Sequence, residues 1–124
     1  MNIIFSVDGG LGKSIMATAI VQAIKKKYKK SNLVVVTAYP DVFVNNPFVN
    51  RCLKGSEGNR IYKEYIKDQK CKLFVANPYH TDDFLQSKKH LLHIWCDLFG
   101  LKYNNESPQI YLTQAEIDYY KSVY

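Results

Sequence analysis

The sequence predicts an α/β domain with an open, mostly parallel sheet, and three observations carry that expectation. An apolar, β-rich run, Asn2–Val7, ends abruptly at Asp8-Gly9-Gly10. A run of helical period follows at once, from residue 13 to about 30, with Met16, Ile20, Ala23, Ile24 and Tyr28 on one apolar face. The next apolar run, residues 33–37 (LVVVT), comes only after that helix, so the two strands need a crossover connection and lie parallel. Strand, glycine turn, helix and strand form the opening βα unit of a single Rossmann-like domain spanning residues 1–124, with helices flanking its sheet.

Later elements are read from the same signals. Residues 41–45 read as a short helical stretch, 49–53 as an extended piece, and Gly55, Gly58 and Asn59 as a loop. Residues 60–67 read as a short helix and 72–76 (KLFVA) as another central strand. A longer helix is expected to start at Thr81, with Phe84, Leu91, Trp95 and Leu98 along one side and Gly100 as its stop. Residues 110–112 read as an edge strand, and Thr113 and Glu116 have capping-box spacing for a final helix over 114–124.

Composition bounds the partners. The chain has 124 residues, 47% of them hydrophobic and 23% charged, which supports one ordered core. No apolar run reaches the roughly 18 residues that would span a bilayer, and the first residues read as a strand rather than a secretion signal. Cys52, Cys71 and Cys96 are odd in number and far apart, which fits a reducing cytoplasm better than a disulfide framework or a CxxC metal site. His90 and His93 are three apart, but no further ligands accompany them, so no metal is expected. The net charge of +6 owes much to Lys25, Lys26, Lys27, Lys29 and Lys30. Cations there complement the carbonyl end of the first helix, which is the favoured reading. The other is attraction to an anionic partner: a peripheral place on an anionic membrane surface, or a phosphorylated glycan, with nucleic acid less expected.

In an open parallel sheet, ligands bind where loops leave the carboxyl ends of the strands. That rule selects residues 8–14, Tyr39-Pro40 and residues 77–80. Gly9, Gly10 and Gly12 allow close backbone approach, and Lys13 and Ser14 add a cation and a hydroxyl at a helix N-terminus. Asp8 and His80 are candidate bases, while Asn77 and the rings of Tyr39 and Tyr79 are candidate sugar contacts.

Two family resemblances attach to these residues. The string GGLGKS, Gly9 to Ser14, resembles the deviant phosphate loop of the partitioning ATPases, with Asp8 in place of the leading lysine. That resemblance implies ATP and magnesium, with Lys13 on the terminal phosphates and Ser14 on the metal. The second covers nearly the whole chain. The opening strand with GGLGKSIMATAIVQAIKKKY, then LVVVTAYPDVFVNNPFVNRCLKG, and later HLLHIWCDLFGLKY and PQIYLT resemble the N-terminal half of family 9 glycosyltransferases, the heptosyltransferase-like enzymes. It implies half of a GT-B architecture: an acceptor domain for a glycan-type acceptor, the nucleotide-sugar donor lying in a separate domain or partner chain. With that role, the strand-end residues divide into Asp8, Lys13 and His80 expected at the chemistry, and Gly9, Gly10, Gly12, Ser14, Tyr39, Asn77 and Tyr79 expected on the substrate. Lys13 stands where the family commonly has an aspartate that activates the acceptor hydroxyl.

Overall fold

A computed structural model describes residues 1–75, 78 and 90–123. Strand β1 (Asn2–Val7) lies between β2 (Asn32–Thr37) and a strand at Cys71–Phe74, here β4. Strand β3 (Arg51–Leu53) adds beyond β2, giving the order β3-β2-β1-β4 with every neighbour parallel. Ile4 sits opposite Val34 on one side and Leu73 on the other, and this register sends alternate side chains to opposite faces. Four parallel strands with helices on both faces make the Rossmann-like sheet that the βα pattern predicts.

One face holds Ile3, Phe5, Leu33 and Val35 against α1 (Leu11–Lys27) and α3 (Leu91–Leu98). Trp95 of α3 is fully buried there, edge-on to Phe5 at 5.7 Å, while Phe99 stacks on Phe74 at 4.7 Å. Gly100 ends α3 at φ +67, where the amides of Gly100 and Leu101 return to the carbonyls of Asp97 and Cys96. Only a residue free of Cβ strain suits that left-handed stop.

The opposite face packs Ile4, Val34, Val36 and Leu53 against Ile61 and Tyr65. Those two come from α2 (Gly58–Ile61) and the wide turn Tyr62–Ile66 that continues it. Arg51 of β3 fixes this helix by donating to Glu64 at 2.8 Å and to the Tyr65 hydroxyl at 2.6 Å.

Several sequence expectations need correction. Helix α1 is not apolar on one face only: Ala17, Thr18, Ala19, Ile20, Val21, Ala23 and Ile24 are all buried, because a second layer covers its far side. Helix α3 packs beside it on the sheet, and the covering layer is an irregular strap over residues 102–109. Thr18 Oγ1 accepts from the Gln109 amide at 2.9 Å, and Gln22 donates to the Ser107 carbonyl at 2.9 Å. Residues 110–112 continue this irregular path and pair with no strand among the described residues, leaving Ile110 and Leu112 about half exposed. Gly55 and Gly58 open short helical turns rather than a loop, one at Gly55–Glu57 and the next at α2. Strand β4 is at the sheet's edge among the described residues, not central, and Leu73 is 57% exposed. Leu98 points outward, and the expected helix start at Thr81, with Phe84, lies outside the described residues. The capping box is present: Thr113 Oγ1 accepts from the Glu116 amide and Glu116 Oε1 from the Thr113 amide, opening α4 (Gln114–Val123). Among the described residues no helix is long and apolar enough to cross a membrane.

The strap is pinned by a buried carboxylate. Glu106 accepts from Lys26 at 2.9 Å and from the Asn104 amide at 2.8 Å. Burial alone would raise its pKa, but the Lys26 and amide hydrogen bonds outweigh it, and the carboxyl is held below its usual value. A depressed carboxylate stabilises the fold above its unfolded pKa and loses that contribution as pH falls through the folded one. Thermal melts should therefore show stability falling from about pH 4.3 downward, and Glu106→Gln should flatten that acid limb while lowering stability at neutral pH.

Candidate functional site

The turn after β1 begins with a conformation that favours glycine. Gly9 has φ +90, and a Cβ there would lie 3.3 Å from Lys13 Cδ. The chain then enters α1 with Gly10 as an uncapped N-terminal residue, and the Ser14 amide bonds back to the Gly10 carbonyl at 3.3 Å. By helix geometry the amides of residues 11–13 have no intrahelical acceptor, so this end presents hydrogen-bond donors and a positive dipole. Gly12 lies inside the first helical turn rather than in the bend, with open space where its Cβ would be.

Lys13 folds back under that turn. Its side chain is 8% exposed, its ammonium is 2.5 Å from Asp8 Oδ1, and it lies 5.8 Å from the centre of the Trp95 ring. Asp8 itself is 79% exposed, so the carboxylate is held from below and reaches solvent above. Ser14 is fully buried, and its hydroxyl meets Thr37 Oγ1 at 2.8 Å. Thr37 Oγ1 also accepts from the Tyr39 amide at 3.1 Å, which ties the exit of β2 to the start of α1. The hydroxyl that a phosphate loop offers to magnesium is thus engaged inside the fold.

A cleft of about 510 Å³ opens over the carboxyl ends of β1, β2 and β3, within the ~300 to 1,000 Å³ typical of small-molecule sites. Asp8 and Gly9 form one wall, Thr37 and Ala38 the second, and Lys54, Gly55 and Ser56 the third. It therefore carries a carboxylate on one rim, an ammonium-bearing side chain on another, and hydroxyls between them. Such a lining suits a polyhydroxyl ligand that also bears a negative group.

Of the residues singled out from sequence, Asp8 and Gly9 line this cleft, whereas Gly10, Gly12, Lys13, Ser14 and Tyr39 do not. Lys13 and Ser14 serve the cleft from beneath by holding Asp8 and Thr37. Tyr39 is 40% exposed beyond the wall. Asn77, Tyr79 and His80 lie outside the described residues. Sequence reasoning missed Lys54, Gly55 and Ser56. Their signal was the short extended piece before them: once β3 is a parallel strand, its exit falls on the same edge as those of β1 and β2.

The segment Asn46-Pro47-Phe48-Val49-Asn50 is a structural joint and not a cleft wall. Asn46 Oδ1 accepts from the Phe48 amide at 2.9 Å, and Asn50 Oδ1 accepts from the Leu33 amide and Lys25, both at 2.8 Å. The two histidines are likewise structural: His90 Nδ1 accepts from the Leu92 amide to cap α3, and both rings stack on Tyr103.

Two glycine substitutions separate the roles of this turn. Gly9→Ala should destabilise the protein by about 1 to 2 kcal/mol, because its backbone is left-handed and Lys13 fills the space. Gly12→Ala, at an open helical position, should stabilise it by roughly 0.5 to 1 kcal/mol. Urea unfolding of both variants checks the opposite signs.

No protein-family profile matches the chain, and no curated protein sequence matches it. Among solved structures it is similar to one described as the glycosyl transferase family 9 from Veillonella parvula DSM 2008, with a TM-score of 0.67 and 16% sequence identity. The alignment covers 98% of this chain and 49% of that one, so the chain spans about half the length of its structural neighbour and shares the fold of that half.

Proposed function

We propose that this chain is the acceptor-binding half of a sugar-transferring enzyme, the nucleotide-activated donor being held by a second domain or partner chain. The observation that carries the reading is the cleft at the carboxyl edge, with the Asp8 carboxylate on its rim, in a chain whose fold follows half of a glycosyl transferase. In that role the cleft orients a glycan hydroxyl toward Asp8. The hydroxyl oxygen attacks the anomeric carbon of the donor sugar, a glycosidic C–O bond forms, and the bond to the diphosphate breaks. The hydroxyl proton passes to Asp8, and the nucleoside diphosphate departs with the bonding pair. Lys13 holds the Asp8 carboxylate in place through its ammonium, which makes it a positioning residue rather than the base. ATP with magnesium is the alternative ligand of the same turn, and the inward Ser14 hydroxyl counts against it.

Amide NMR titration tests both. Neutral and phosphorylated mono- and disaccharides should move the amides of Asp8, Gly9, Ala38 and residues 54–56, and Asp8→Ala should weaken that binding about tenfold or more. ATP with magnesium should leave those amides in place. Tight ATP binding that Lys13→Ala abolishes would overturn the acceptor reading in favour of a nucleotide site, and failure of every sugar would remove it.

A further inference from the structure

The opposite end of the sheet carries a second surface. Helix α1 ends at Lys27, β2 begins at Asn32, and β4 begins at Cys71, so residues 28–31 and 67–70 share the amino edge of the strands. The Asn2 amide bonds to the Lys70 carbonyl and the Asn32 amide to the Met1 carbonyl, which closes this edge into one face. Lys29, Lys30, Lys67, Lys70 and Lys72 are all exposed on or beside it.

Part of the lysine run is accounted for by the fold. Lys25 donates to the Ser31 carbonyl and to Asn50, Lys26 pairs with Glu106, and Lys27 donates to the Gly100 carbonyl at 2.9 Å. Helix capping and strap pinning explain these three. They do not explain Lys29 and Lys30, which follow the helix and form no ion pair among the described residues. Among the described residues, opposing charge at this face comes from Asp68 in the turn before β4 and from Glu106, already matched by Lys26.

A shallow cavity of about 390 Å³ lies here, with Met1 and Tyr28 on its apolar side and Lys29 and Lys30 on its rim. Met1 is 53% exposed. Lys72 Nζ lies 3.1 Å from the Tyr28 hydroxyl, and the ammonium groups of Lys27 and Lys72 lie 5.5 and 5.4 Å from the centre of the Tyr28 ring. The Lys72 hydrogen bond draws the phenol below its ordinary pKa despite burial, a sign of the positive field around it.

We propose that this face docks on an anionic lipid bilayer, with the lysines among the phosphate headgroups and Met1 entering the interface. Charge complementarity selects an anionic partner, and the exposed methionine amid lysines selects one with an apolar layer beneath its charges. Nucleic acid fits less well: the ring that could stack on a base is already engaged by two ammonium groups, and the chain's two arginines, Arg51 and Arg60, are paired with glutamates at β3 and α2. This inference does not depend on the sugar-transfer reading.

Co-sedimentation of the full chain tests it, using vesicles of phosphatidylcholine alone and vesicles mixed with phosphatidylglycerol. Binding should require the anionic lipid, weaken with added salt, and resist competition by soluble glycerol phosphate. The double variant Lys29→Ala/Lys30→Ala should lower the partition coefficient about 30-fold, with an unchanged thermal melt. The charge-matched control Lys63→Ala/Lys121→Ala should leave most of the binding intact. Equal binding to both vesicle types, equal loss in the two double variants, full displacement by glycerol phosphate, or tighter binding to duplex DNA at the same salt would each overturn the proposal.

Discussion

A single buried cation organises the ligand end of this domain. The Lys13 ammonium lies beneath the glycine turn, against the Asp8 carboxylate and over the Trp95 indole, and Gly9 is bare of a Cβ where the lysine stem passes. An unpaired charge at that depth would cost several kcal/mol, so the turn must keep Asp8 within reach. Because Asp8 is largely solvated, the pair itself contributes far less than a buried one; its importance is geometric. Through Trp95 the same contact joins the turn to α3, and through Phe5 to the central strand.

From that tie the rest follows in layers. Strand β1, which buries Ile3, Ile4, Phe5 and Val7 to both sides, can be covered only by helices on both faces, and α1 and α2 supply the first cover on each. Helix α1 is itself apolar on more than one side, so it in turn needs a cover, which the strap provides, with α3 packed beside it. The strap carries its polar groups into that layer safely because Thr18, Gln22 and Lys26 each meet a partner on it.

The parallel sheet, the glycine turn and the capping box of α4 were legible because each rests on local chemistry: apolar runs separated by a helix, a backbone that needs glycine, a Thr and a Glu three residues apart. What could not be read locally was whatever depends on which surfaces meet. The burial of α1 on more than one side is set by a segment some 80 residues away, and an edge strand can be as apolar as a central one, so KLFVA gave no warning of its place. The cleft was half legible. Asp8 and Gly9 were found from the turn, whereas Lys54 to Ser56 follow a strand of three residues, too short to show a period. Lys13 and Ser14 were correctly drawn to the ligand end, but side-chain direction, inward toward Trp95 and Thr37, is a property of packing and not of spacing.

The edge position of β4 among the described residues bears on how the protein behaves in a tube. Leu73 on that strand and Val75 just after it stand 57% and 67% exposed, and an open strand edge is a pairing template of the kind that drives one chain to add to another. Lys70 and Lys72 flank the same strand, and two copies brought edge to edge would bring like charges together. Repulsion of this sort reaches only about 8 Å at physiological ionic strength and less as salt is added. Among the described residues this edge is guarded by electrostatics rather than by a covering element, and a dilute buffer, not a concentrated one, is the medium in which two such edges stay apart.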